Sequence, residues 1–191
     1  MSKSLFKVRR NAILITILII VLSTLFGVNR SLGGRIMEVS DLFNEGVKSG
    51  GYVLKSIRSQ LIVRAETALD MITVGSNYNS AGDQTSALRT ARNKLLDLLD
   101  GETSPRALYA ANKELDNAFS ALYLKLSALT LTDSDAEIID ENFSRMNNAA
   151  MVIDKSEYNS AVRDFHRNVL SVFPTNLLIK ICPVDEPELF E

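Results

Sequence analysis

The residues of this chain best able to do chemistry lie in one run, Tyr158-Asn-Ser-Ala-Val-Arg163-Asp164-Phe-His166, which holds the only histidine. Helical proteins that bind two metal ions use Glu-x-x-His pairs on two helices, whereas here Arg163 stands three before the single histidine. Asp164 and His166 are two residues apart, about 200° around a helix, so they cannot share a ligand within it. No second candidate clusters with His166, which reads as a solvated surface residue. The pair Tyr158-Asn159 is open to two readings: a polar recognition pair, or a ring buried between helices beside an amide bonding a turn. Arg64, flanked by Ala65 and Glu66, is either half of a salt bridge or an anion site, and the salt bridge is favoured because it has no basic companions. Glu137, Asp140 and Glu141 complement a helix N-terminus, with a cation site as the weaker alternative. No phosphate-cradling glycine loop, nucleophile elbow or dinucleotide fingerprint occurs. Cys182 is the sole cysteine, which excludes an internal disulfide and a cysteine-based zinc site. No catalytic, cofactor-binding or metal-binding residue is assigned, and an enzyme is not expected.

The elements that carry these residues read as helices. Leu54, Ile57, Leu61, Ala65, Ala68 and Ile72 form one stripe from Tyr52 onward, ending in the turn formers Gly75–Gly82. Leu88, Ala91, Leu95 and Leu98 mark a second helix, closed by Gly101 as a left-handed cap. Ser104-Pro105 starts a third as N-cap and first helical residue, with Leu108, Ala111, Leu115, Ala118, Leu122 and Leu126 inward. Ser134-Asp-Ala-Glu137 has capping-box spacing and opens a fourth. That helix turns Ile139, Phe143, Met146, Ala150, Ile153, Ala161, Phe165 and Val172 inward and stops at Phe173, before Pro174. Four such stripes predict an all-α fold, a long antiparallel four-helix-type bundle over 52–181. Residues 182–191 are acidic and hold two prolines, and they read as a flexible tail.

Residues 12–28 contain no charge and, as a helix, span about 25 Å, enough for a transmembrane anchor. The basic tail 1–11 precedes it, and a connector, 29–51, interrupted by Gly33-Gly34, Gly46 and Gly50-Gly51, follows. Residues 1–35 carry six bases and no acid, and the remainder carries 15 bases and 23 acids, which gives +6 and −8. An acidic main domain has no footprint for phosphate backbones, so no nucleic-acid partner is expected. Small residues in A-x-A spacing are missing after the apolar run, which favours an uncleaved signal anchor over a cleaved signal peptide. Four bases before the span and two after it place the N-terminus in the cytoplasm and the acidic domain outside.

In order, these segments resemble the LemA family of bacterial membrane proteins. Tyr158-Asn159 with Phe173-Pro174-Thr175-Asn176 is similar to that family's Tyr-Asn and Phe-Pro-x-Asn helix end. Gln60, Arg64, Ala65 and Glu66 resemble its first-helix Arg-Arg-Ala-Asp segment, Ala91-Arg92 its Ala-Arg pair, and Asn142-Phe143 its Asn-Phe. The chain departs from the pattern at Val63, in place of the first arginine, and at Leu69, in place of a proline. The resemblance implies an N-terminal membrane helix and a long helical bundle, and it supplies no catalytic residues.

The function expected is a non-enzymatic, single-pass protein of the bacterial cytoplasmic membrane, presenting its bundle as a scaffold or protein-interaction module. The alternative is a ligand-sensing bundle working through a separate signalling partner. Expected partners are the bilayer, through residues 12–28, and a protein or a second copy of the chain. The candidate positions are Arg64, Tyr158, Asn159, Phe173, Pro174, Asn176 and Leu177, with Leu178, Ile179 and Ile181 leaving apolar surface beyond the helix stop.

Overall fold

The computed structural model describes residues 2–49, 52–101, 103–181 and 184–191. The fold is helical, and the chain divides into two compact units: residues 1–39 with 163–187, and residues 40–162 with 188–191. The boundary between the units falls after Val162, within the expected 52–181 region.

The first helix, α1 (Ser2–Asn44), includes one stretch long and apolar enough to cross a membrane. The connector expected over 29–51 is mostly helix. α1 continues through Gly33-Gly34, because a glycine costs a helix only about 1 kcal/mol, and Leu32, Val39 and Phe43 on one face of this stretch are buried. The helix ends where Gly46 takes a φ of 78°, in the left-handed region that favours glycine. An antiparallel hairpin of β1 (Val47–Ser49) and β2 (Tyr52–Leu54) follows, pairing Val47 with Leu54. Three-residue strands carry too little alternation to be legible in sequence.

The larger unit holds α2 (Ile57–Gly75), α3 (Gly82–Asp100), α4 (Pro105–Ser127) and α5 (Asp133–Asp154). α2 packs on α3, α4 and α5, while α4 also packs on α3 and α5. Their shared interior is lined by Leu61, Ala68, Leu88, Leu95, Leu115 and Leu122. α2 starts later than expected, after Ser56, whose hydroxyl accepts the Ser59 amide at 3.0 Å. Ser104 caps α4 with Pro105 at its first turn, as the sequence predicts. α5 is capped by Thr132, two residues before the expected Ser134. Gly101 is extended, with φ −94° and ψ 170°, rather than left-handed. Gly75 has a packing role: a Cβ there would lie 2.5 Å from Thr85 Oγ1 and 3.3 Å from Leu122.

The fourth helix does not run unbroken to Phe173. α5 ends at Asp154, and α6 (Tyr158–Phe165) begins after Lys155-Ser156-Glu157. A π-helical turn, His166–Leu170, leads to a bend and to α7 (Thr175–Ile181). The interruption changes the register, so Val162 and Leu170 are buried while Ala161 is half-buried and Val172 is exposed.

Candidate functional site

Tyr158 and Asn159 open α6, and in the larger unit they bond the chain's own C-terminus. The Tyr158 hydroxyl donates to the Glu188 carbonyl at 2.6 Å. The Asn159 amide group donates to the Phe190 carbonyl at 3.0 Å and accepts the Phe190 N–H at 2.8 Å. A carboxamide that both donates and accepts matches the paired groups of an extended main chain, so Asn159 holds this segment without reading its side chains. The Phe190 ring is only 4% exposed. It lies 5.8 Å from the Phe43 ring and 5.3 Å, edge-on, from the Tyr109 ring, and Tyr158 in turn meets Phe43 edge-on at 5.2 Å. Burial, aided by the Glu188 carboxylate, pushes the Tyr158 hydroxyl pKa up to about 12.

Within the stretch expected as a flexible tail, 182–191, the main chain of Glu188 and Phe190 bonds to α6 and the Phe190 ring is buried. The signal for this was the apolar pair Leu189-Phe190 within an acidic run, of which Phe190 is buried and Leu189 half-buried. Cys182 and Pro183 lie outside the described residues. The Tyr158 ring is buried, and the polar groups of Tyr158 and Asn159 bond the main chain of residues 188 and 190.

Arg64 lies inside the larger unit, 2% exposed, and pairs with Asp116 of α4. This arrangement agrees with the salt-bridge reading. On the same unit, Arg92 donates from Nε to the Ala65 carbonyl at 2.8 Å, joining α3 to α2. Gln60, Asn112 and Asn142 are also buried, so this core has polar members that apolar periodicity does not mark. Asp140 accepts from the Tyr123 hydroxyl at 3.0 Å, which ties the expected acidic patch to α4. Among the described residues, no group of three or more His, Cys, Asp and Glu side chains is placed to hold a metal ion.

In the smaller unit His166 is half-buried rather than solvated, with Nε2 donating to the Pro187 carbonyl at 3.0 Å. Phe173 is 76% exposed, and Pro174, Asn176 and Leu177 are exposed as well. The Pro174 carbonyl accepts the Leu177 amide at 3.1 Å and the Asn176 amide donates to the Val172 carbonyl at 3.0 Å, so these residues shape the turn into α7. The seven expected positions therefore fall into three places: Arg64 in the helical core, Tyr158 and Asn159 at the tail clamp, and Phe173 to Leu177 around the start of α7.

One cavity adjoins the clamp within the larger unit, about 200 Å³ in volume, with Leu42, Val152 and Tyr158 among its walls and Lys55, Lys155 and Glu157 among its polar groups. Against this geometry, no protein-family model matches the chain, and no curated protein or solved structure matches it either.

Proposed function

We propose that this is a single-pass protein of the bacterial cytoplasmic membrane, related to the LemA family, whose α2–α5 helices form an antiparallel bundle serving as a protein-interaction module. Residues 12–28 anchor it in the bilayer, with the N-terminus cytoplasmic and the acidic domain outside. The observation that carries the interaction reading is the clamp: Asn159 takes both main-chain groups of Phe190 while the Phe190 ring is enclosed by aromatic side chains. Extended-peptide recognition works in this way, with main-chain bonds supplying affinity and a side-chain pocket supplying specificity. In this chain the C-terminal segment occupies the face, so an outside peptide of the same chemistry, an aromatic residue in an acidic stretch, competes with it.

The test uses the chain ended at Pro187 and a synthetic peptide of residues 184–191. Saturable binding that disappears when the peptide carries Phe190→Ala, or the protein Asn159→Ala, supports the reading. Failure of the peptide to bind a folded, shortened chain removes it and leaves the clamp as a purely structural tie.

The ligand-sensing alternative is favoured by one feature, the 200 Å³ cavity beside Tyr158. Its two ammonium groups and apolar walls suit a small carboxylate with a hydrocarbon part. A ligand-induced rise in melting temperature that Lys155→Ala removes would support this second reading.

A further inference from the structure

Resting on the reading of α1 as a membrane span, we propose that α7 and the bend before it form a second membrane contact, lying in the headgroup boundary rather than crossing it. Within the smaller unit, Leu178 and Val184 share a crevice of about 10 Å³ with Leu25, Val28 and Leu32 of α1. That crevice is at the C-terminal end of the uncharged 12–28 run, so α7 stands level with one edge of the hydrocarbon layer. Away from the crevice the surface is apolar and open: Phe173 is 76% exposed, Ile181 62%, Leu177 53% and Val172 49%. Leu177 and Ile181 are four residues apart and share one face of α7.

A cluster of this kind facing water is unfavourable and marks an interaction surface. The occupant is lipid, because the cluster continues the uncovered apolar surface of α1, where Ile13 to Leu22 and Phe26 are exposed. α7 has seven residues, about 10 Å of helix, too short to span a bilayer but suited to lying at ~5–10 Å depth. Lys180 on α7 and Arg30 and Arg35 on α1 are exposed near the same edge, where anionic headgroups attract each base by about 1 kcal/mol.

The experiment uses the full chain with Cys182→Ser in vesicles of phosphatidylethanolamine and phosphatidylglycerol. Single cysteines at Leu18, Leu177, Ile181 or, as a control, the exposed Leu124 carry an environment-sensitive fluorophore. Lipid-borne quenchers are placed either shallow or deep in the acyl chain. The expected result is loss of emission by the deep quencher at position 18, by the shallow quencher at 177 and 181, and by neither at 124. Quenching at 18 with none at 177 and 181 overturns the inference and leaves the span intact. A blue shift at 177 and 181 without quenching also overturns it, in favour of a second copy of the chain covering this face. Absence of quenching at 18 overturns the span and the inference together.

Discussion

Leucine and isoleucine have opposite surroundings in the two units of this molecule. Along α2–α5, Leu61, Leu88, Leu115 and Leu122 have essentially no exposed surface. Along α1, Ile13, Leu14, Ile17, Leu18 and Leu22 are each more than half exposed within the protein. On the proposed membrane reading, the two sets answer to different solvents. In the larger unit, water drives apolar stripes together. An apolar helix in hydrocarbon gains nothing from covering its side chains, so its surface is left apolar on every side. On the proposed reading of α1 as a membrane span, its exposed apolar surface suits a lipid medium, and the inferred contact of α7 extends that surface beyond the span.

Truncating one leucine from each region is the strongest way to break this contrast. Leu115→Ala should destabilise the helical unit by about 2–5 kcal/mol, read as a lowered midpoint in chemical denaturation. Leu18→Ala should leave that midpoint unchanged, since no packed neighbour is lost. Equal effects would mean that α1 belongs to a packed core.

Gly75→Ala sharpens the same point from the opposite side. Its new methyl meets Thr85 Oγ1 at 2.5 Å, so overpacking should cost about 1–3 kcal/mol. Gly33→Ala in α1, where nothing lies within 4 Å of the added Cβ, should leave helicity intact or raise it.

The clamp gives two smaller effects. Asn159→Ala removes two hydrogen bonds and leaves the Phe190 main chain unpaired, a loss of about 1–3 kcal/mol, visible as faster carboxypeptidase removal of the last residues. The pH dependence has a definite sign. With its folded pKa near 12, above the ordinary value of 10.0, Tyr158 stays protonated longer when folded than when unfolded. Its contribution is fully present below pH 10 and is lost as pH rises toward 12. Tyr158→Phe should remove that component of the alkaline transition, followed by tyrosinate absorbance.

Legibility in the sequence followed the size of the local signal. Ser104-Pro105 announced the start of α4, because a hydroxyl cap and a proline ring act on their immediate neighbours. The apolar stripes of α2 to α5 were legible because burial repeats every three or four residues. The break at Lys155-Ser156-Glu157 was not legible, since those residues include no glycine or proline. Gly101 misled for a related reason: a glycine after a helix permits a left-handed cap without requiring one. Arg64 was identified as structural, but its partner Asp116 lies 52 positions away, and no local pattern links them.

By itself, the sequence determined the helical class, the apolar N-terminal run and which faces of α2–α5 turn inward, because all three depend on residue types at short spacing. Only the tertiary structure decided that Asn159 closes on Phe190, 31 positions later, and that α7 stands beside the end of the apolar run in α1. Those are encounters between distant segments, set by how the packed elements bring the chain back on itself, and the geometry that creates them has no counterpart in local spacing.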